Sequence, residues 1–464
     1  MLRKKNILFI ITDQQNIDTI SAYKEYFPNK AYGVHYVKTP NLDKLVSGGY
    51  SFLLSQSVNP LSCPARASIF TGRYSIENGV YYNNIGIDKN IKNIGEWLSD
   101  YAGYNCYYSG KWHAGGAWNY PSIDGNRKIP GFNTIPIGEF PTGEHNDYQV
   151  STAVMNFLNG YNESKPFFIV AGLMNPHDIC FWTMNDRGLV CSDELLDKNL
   201  EYPPLPPNNS YSFNEPKILS STRRSHNSIF WQNYSYDYYR MIEKMDFDVG
   251  RILNAVESRN DDTIVIFTSD HGEGLGRHSR VQKWHPYDQS VRVPLIFYSP
   301  GYIKQCIDSE HLVCGLDLFP TICDFAGIPD TLPENLRGKS LKGLLTLNDT
   351  DTLKNRKYIV SEFKITGRVV RTRRYKYIKM YEFSGDNDKP FVKKDGSPSK
   401  FFPTDKASEI YKSDSLVLLF DMVDDPWETK NIAGEDTKDI INEHELFLKE
   451  WESSVIPGIH YDRN

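Results

Sequence analysis

No apolar run in this chain approaches the ~20 residues that span a bilayer, so the sequence offers no membrane-spanning helix. Positive charge is not in excess either: 52 Lys and Arg against 58 Asp and Glu leave a formal net charge of −6. That balance argues against nucleic acid or an anionic membrane as a general partner, because both are met by a broad basic face. An anionic substrate would need a local cationic pocket working against the overall sign. Cysteine is sparse. The seven present (Cys63, Cys106, Cys180, Cys191, Cys306, Cys314 and Cys323) are too scattered for a disulfide scaffold. No Cys-x-x-Cys pair suggests a zinc ribbon or a dithiol centre. Cys306, Cys314 and Cys323 lie in or near apolar runs and read as core residues. Internal repeats and low-complexity tracts are also absent. A leader signature is incomplete: Met1-Leu2-Arg3-Lys4-Lys5 has the charge of a signal peptide, but Asn6–Thr12 is short and Asp13-Gln14-Gln15 ends it without a cleavage site. We therefore expect a cytoplasmic protein if Met1 is the native start, and a periplasmic or secreted one if a leader has been removed.

What is present is an ordinary globular composition, 40% hydrophobic and 24% charged over 464 residues, enough for two domains. Abundant Asn, Lys, Tyr and Ile fit an AT-rich bacterial source. Short β-rich runs at Ile7–Thr12, Cys106–Ser109, Phe167–Leu173, Thr263–Thr268 and Leu295–Tyr298 alternate with amphipathic stretches at Ile91–Tyr101, Tyr148–Leu158 and Tyr238–Val256. In the last, Ile242, Met245, Val249, Ile252 and Val256 recur at helical spacing. Such alternation predicts an α/β domain on a large, mostly parallel sheet flanked by helices, over residues 1–345. From there the character changes. Ile359–Phe363, Arg368–Arg371 and Tyr375–Met380 read as antiparallel strands and Glu443–Trp451 as a closing helix, a smaller α+β domain over 346–464. Gly385–Ser399 reads as a surface loop, and Tyr202–Asn227 as a long excursion near the site.

Chemistry-bearing residues fall at the ends of these runs, where α/β folds gather their sites. Asp13 and Gln14 follow the first strand; Asp270 and His271 follow another. A carboxylate with a carboxamide oxygen suits a hard cation such as Ca²⁺ or Mg²⁺, and the imidazole leaves Mn²⁺ open. Taken singly, each pair equally reads as a cap on the next turn. Ser62 stands four residues before Arg66 at the start of a predicted helix, where a hydroxyl and an anion-binding group meet. Alone, Ser62 reads as a helix cap. Lys111 and His113, at i and i+2, would share one side of an extended segment. His177 follows the Phe167–Leu173 run, and Lys283 lies in Gln282-Lys283-Trp284-His285; taken singly, these read as structural or surface residues. Gly272-x-Gly274-x-Gly276 lacks the strand–helix context of a dinucleotide loop and implies no cofactor.

Together these pieces resemble the type I sulfatase family of the alkaline phosphatase-like superfamily, over nearly the whole chain. Ser62-Cys63-Pro64-Ala65-Arg66 with Thr71-Gly72-Arg73 is similar to its [C/S]-x-P-x-R…T-G-R signature. Gly110–His113 is similar to its G-K-x-H element, Asp13-Gln14 and Asp270-His271 to its two metal dyads, and Lys283 ahead of Arg292-Val293-Pro294 to its late lysine. Leu419-Phe420-Asp421…Asp425-Pro426-Trp427-Glu428…Asn431 resembles its C-terminal stretch. The signature aligns only with Ser62 in first position, leaving Cys63 at a variable one. The resemblance implies that Ser62 is converted by a maturase to formylglycine and that Asp13, Gln14, Asp270, His271 and residue 62 hold a divalent cation, Ca²⁺ first. It also implies that Arg66 stabilises the aldehyde hydrate, that Lys111, His177 and Lys283 hold the sulfate oxygens, that one of the histidines protonates the leaving alcohol, and that His113 supports the hydroxyl at residue 62. Asn83 and Asn84 are candidate substrate contacts. Many family members carry Asp-Asp and Asp-Asn dyads; the Asp-Gln and Asp-His dyads here resemble a branch that includes phosphonate hydrolases and glycan sulfatases. The expected activity is hydrolysis of a sulfate ester of a carbohydrate, with phosphonate monoester or phosphodiester hydrolysis as the alternative. A sulfoglycan-binding protein with unmodified Ser62 fits less well, since binding needs no metal-activated nucleophile. Arg368, Arg371, Arg374 and Lys376 read equally as contacts for further anionic groups or as a solvated strand face.

Overall fold

Asn6–Asp13 (β1) runs through the centre of the molecule with every residue buried. The computed structural model describes residues 4–115, 128–138, 142–182, 201–210, 215, 219, 223–259, 261–347, 349, 351–363, 367–381 and 415–456. The expected loop at Gly385–Ser399, Cys191 and most of residues 211–222 lie outside the described residues. The strands, in chain order, are β1, β2 (Tyr50–Phe52), β3 (Ser55–Gln56), β4 (Asn105–Gly110), β5 (Asn133–Thr134), β6 (Phe167–Pro176), β7 (Thr263–Ser269), β8 (Leu295–Tyr298), β9 (Cys306–Asp308), β10 (Val313–Cys314), β11 (Ile359–Phe363), β12 (Gly367–Arg371), β13 (Tyr375–Tyr381) and β14 (Ser415–Asp421).

The large sheet has the order β5-β4-β6-β1-β7-β8-β2-β9. From β5 to β7 all neighbours are parallel, whereas β8 pairs antiparallel with both β7 and β2. Alternation along β1 feeds two cores. Leu8 and Ile10 join the helices Gly143–Gly160 and Ser228–Ser258 on one face. Ile7, Phe9 and Ile11 join the helices Ser62–Thr71 and Leu318–Phe325 on the other. A strand buried on both faces reads as a continuous apolar run, which is why the sequence showed it as one.

The helix over Ile242–Val256 starts earlier than its spacing suggests, at Ser228, because the Asn227 side chain accepts the Phe230 N–H at 2.8 Å. The Ile91–Tyr101 stretch is shorter than expected: Asn93 caps a turn at Ile94–Trp97 that runs on into a π-helical turn, Leu98–Ala102. Cys314 and Cys323 are buried, but Cys306 is exposed, because it opens β9 on the open edge of the sheet. No helix among the described residues is long and apolar enough to cross a membrane.

β11 to β14 form a separate antiparallel sheet. Val360, Val370, Tyr377 and Leu419 on one face pack with Leu448 and Trp451 of the closing helix Lys438–Val455, and with Val58, Cys63 and Ala67. Val369, Ile378, Met380, Leu418 and Phe420 on the other meet Tyr287 and Trp284. The small sheet thus braces both the Ser62 helix and the segment that carries Lys283.

Candidate active site

Four neighbouring parallel strands of the large sheet, β4-β6-β1-β7, end side by side and deliver charged or ionisable side chains at or just past their carboxyl ends. Lys111 follows β4, His177 follows β6, Asp13 ends β1, and Asp270 with His271 follows β7. The helix Ser62–Thr71 and the loop between β7 and β8 add Ser62, Arg66 and Lys283. Positions spread along most of the chain become neighbours only because the strands pair in that order.

Asp13, Asp270 and His271 are buried, and one donor atom from each lies within 4.8 Å of the others. Arg66, without solvent exposure, donates from Nε to Asp270 Oδ2 at 2.8 Å and from Nη2 to Asp13 Oδ2 at 3.3 Å. Its other donors reach the Lys111 and Thr12 carbonyls at 3.0 and 3.2 Å. Arg66 therefore holds the two carboxylates rather than facing an open pocket. Lys111 Nζ pairs with Asp13 Oδ2 at 2.8 Å. Lys283 Nζ lies 2.8 Å from Gln14 Oε1, 3.1 Å from Ser62 Oγ and 3.7 Å from Asp13 Oδ1. Ser62 Oγ is 2.8 Å from His271 Nε2 and 3.5 Å from Asp13 Oδ1. Ser62 is the first helical residue and caps nothing with its side chain. The Cys63 thiol points the other way, toward the Ile85 carbonyl at 3.8 Å, and burial pushes its pKa up to about 12.

The electrostatics fit a cation-seeking centre. Burial and the neighbouring Asp13 push the Asp270 carboxyl up to about 7. Burial acts on Asp13 too, but Lys111, Lys283, His177 and Arg66 outweigh it and hold that carboxylate well below its usual range. Burial and Lys283 keep His271 neutral, as a ligand must be, with Nδ1 against the Gly272 carbonyl at 3.0 Å. Two carboxylates and a neutral imidazole converging in a buried space are a donor set that fits a divalent cation.

His113 and His177 reach the centre through charge rather than hydrogen bonds. Each is half-buried, with a buried Nδ1 that has no partner among the described residues. Burial, then Lys111, lower His113 to about 3, and burial, Lys111 and Lys283 hold His177 well below its ordinary value. The extended geometry expected for Lys111 and His113 does not occur, since Gly110 and His113 take φ of 90° and 39°. Asn83 is half-buried and Asn84 exposed, and no hydrogen bond joins either to the centre among the described residues. Their turn lies alongside it: Tyr82 packs on Trp284, next to Lys283, at 5.3 Å. Arg368, Arg371 and Lys376 are buried, and only Arg374 is exposed, bound to Asp421 and Asp424. They are not a solvated face. Glu273, given no role above, is a buried carboxylate that accepts the Gln14 amide; its place directly after Asp270-His271-Gly272 was the only signal.

The sulfatase family model matches residues 5–328. The chain belongs to the sulfatase family. A second model, the C-terminal region of N-sulphoglucosamine sulphohydrolase, matches residues 276–396. Among relatives, a Delta 4,5-hexuronate-2-O-sulfatase of Bacteroides thetaiotaomicron is 30% identical over 91% of this chain and 85% of its own. An N-acetylglucosamine-6-O-sulfatase of the same organism is 26% identical over 74% and 71%. A solved structure of a putative sulfatase, also from Bacteroides thetaiotaomicron, superposes with a TM-score of 0.74 at 25% identity, covering 99% of this chain and 95% of that one. The phosphonate monoester hydrolase of Agrobacterium radiobacter, at 20% identity and a TM-score of 0.71 over 97% and 96% of the two chains, shares the fold. As a member of the family this sulfatase is a sulfuric ester hydrolase.

Proposed function

We propose that this sulfatase cleaves a sulfate ester on a saccharide, using Ser62 after its conversion to formylglycine by a maturase. Asp13, Gln14, Asp270, His271 and residue 62 would hold the divalent cation, Ca²⁺ first and Mg²⁺ or Mn²⁺ next. The saccharide rests on the relatives, which are named for hexuronate and N-acetylglucosamine sulfate esters. One observation carries the centre: the Ser62 hydroxyl borders His271 and Asp13 of the donor set and the Lys283 ammonium at once. Together the cation and the hydrated aldehyde would supply an ionised hydroxyl at neutral pH.

The chain's own residues do the rest. Arg66 fixes both carboxylates so that the donor set stays converged. Lys111 and Lys283 present two ammonium groups to the sulfate oxygens and to the charge that grows on them. His177 is neutral in the free protein because burial, and after it those ammonium groups, disfavour its proton. An anionic sulfate ester between the lysines would offset that repulsion and raise the proton affinity of His177, which suits it to protonate the leaving alcohol. His113 would support the hydroxyl at residue 62, and Asn83 and Asn84, in the turn that packs through Tyr82 on Trp284, would contact the sugar. Residues 1–345 carry this chemistry and 346–464 brace it.

The test is sulfate release from a panel of defined sulfated mono- and disaccharides, with protein co-expressed with a serine-competent maturase and the mass of the Ser62 peptide measured in parallel. Release from one sugar establishes the reaction and the ester position. Intact sugars with Ser62 converted, together with turnover of a phosphodiester or phosphonate, would replace this reading with the phosphoryl alternative.

A further inference from the structure

A glutamine can serve a cation only through its amide oxygen, and at position 14 something must decide which end of the amide faces the site. Gln14 has φ of 73°, so its backbone already departs from the direction of β1. Its Oε1 accepts from Lys283 Nζ at 2.8 Å, among the Ser62 and Asp13 oxygens. Its Nε2 donates to Glu273 Oε2 at 2.5 Å. Turning the amide over would set an oxygen against a carboxylate and an NH₂ against an ammonium, both repulsive. Glu273 is itself held without slack. Its Oε1 accepts from Tyr234 Oη at 2.8 Å, from the Gln282 backbone N–H at 2.5 Å and from the Leu275 backbone N–H at 3.4 Å. Tyr234 is anchored in the helix Ser228–Ser258, and Gln282 directly precedes Lys283. One buried carboxylate therefore ties Gln14 to the backbone that carries Lys283.

We infer that Glu273 is a positioning residue: acting through Gln14, it sets the polarity of the amide, turning Oε1 into the donor set, and so determines how tightly the sulfatase holds its divalent cation. The inference rests on the divalent-cation reading above. Glu273 is not a ligand, since its carboxylate is taken up by Gln14, Tyr234 and two backbone donors. Its replacement by glutamine keeps size and shape but adds an NH₂ that can meet Gln14 either way round, so the amide loses its fixed direction.

The experiment is calorimetric titration of Ca²⁺ into the full chain with Ser62 unmodified, so that no turnover is needed. Glu273→Gln should weaken Ca²⁺ binding by about 10- to 100-fold, the usual cost of losing a group that orients a ligand. In a Gln14→Ala background the same change should have no further effect, a coupling that a merely structural role would not show. Tyr234→Phe, which leaves the Gln14–Glu273 contact in place, should lower the melting temperature while keeping Ca²⁺ affinity within about threefold. Should Glu273→Gln not fold, Glu273→Asp, which keeps acceptor-only chemistry on a shorter arm, should give a smaller loss that again vanishes without Gln14. Unchanged affinity in folded Glu273→Gln, or losses that multiply in the double variant, would overturn this inference alone. Absence of Ca²⁺, Mg²⁺ and Mn²⁺ binding by the unaltered protein would overturn it together with the cation reading.

Discussion

Two buried clusters of charge lie a short stretch of chain apart, and they are built from the same residue types. One is the centre of Asp13, Asp270, Arg66, Lys111 and Lys283 at the strand ends. The other joins the small sheet to the large unit: Lys376 Nζ lies 2.8 Å from Glu428 Oε1 and 3.2 Å from Asp288 Oδ1, while the Asp288 backbone N–H donates to Glu428 Oε2 at 2.8 Å. Burial raises the Asp288 carboxyl, but Lys376, Arg371 and Arg292 outweigh it and hold it at about 2. Its neighbour Glu428 rises to about 7, because burial and Asp288 outweigh Lys376. The centre splits in the same way, with Asp13 held well below its usual range and Asp270 raised to about 7. Both clusters draw their cations from the chain itself; what differs is that, among the described residues, the centre converges two carboxylates and an imidazole on one space beside the Ser62 hydroxyl. Buried charge alone therefore does not mark a site. Ligand-type donors converging beside a nucleophile do.

The contrast can be broken first at Ser62. Ser62→Ala should lower sulfate release by on the order of 10⁴-fold or more, as loss of a nucleophile does, with little change in melting temperature, because the side chain caps nothing. Cys63→Ala, whose thiol points into the packing beneath the small sheet, should keep activity within severalfold.

Next come the two buried cations. Arg66→Met and Lys376→Met each remove a buried cation shared by two buried carboxylates and should each cost about 3–5 kcal/mol in urea unfolding. They should then separate. Millimolar Ca²⁺ should recover part of the loss in Arg66→Met, where the donor set can take a cation in place of the guanidinium, and none in Lys376→Met. Equal responses would erase the distinction between the clusters.

His285 sits on the segment linking them, buried and held well below its ordinary pKa by burial, Arg280 and Lys376. Below about pH 6.5 the unfolded chain takes up a proton there that the folded protein refuses. Stability is therefore lost as pH falls through 6.5, and this residue costs nothing above it. The unfolding free energy of His285→Phe minus that of the parent should grow more positive from pH 7.5 to 5.5, by at most about 1.4 kcal/mol per pH unit at this site. A flat difference would mean that His285 is protonated in the folded state.

A further effect belongs to the far end of the Ser62 helix. Gly72 takes φ of 66° to end it, and an added Cβ would meet Leu336 Cδ1 at 2.5 Å. Gly72→Ala should cost about 1–2 kcal/mol, measurable by thermal melting, and leave the junction untouched.

The sequence by itself determined the strands β1, β4, β6, β7 and β8, because runs buried on both faces are continuous in apolar residues. It showed the antiparallel character of β11 to β13 as well. It also placed Ser62 at a helix start, and the structure supplies the local reason, with Pro64 in the first turn and Gly72 closing the helix at φ of 66°. The motifs marked Asp13, Gln14, Asp270 and His271 as a possible donor set, one residue type at a time. What it left open were the relations between segments. Arg368, Arg371 and Lys376 read equally well as glycan contacts, since a strand's pattern does not say which partner buries each face. Cys306 read as core because an apolar neighbourhood looks the same at a sheet's edge as at its centre. Glu273 stood in the motif without a role, because its partners Gln14, Tyr234 and Gln282 come from three separate segments. Only the tertiary structure decided these, since strand order, and not chain order, sets β4, β6, β1 and β7 side by side and brings their ends together.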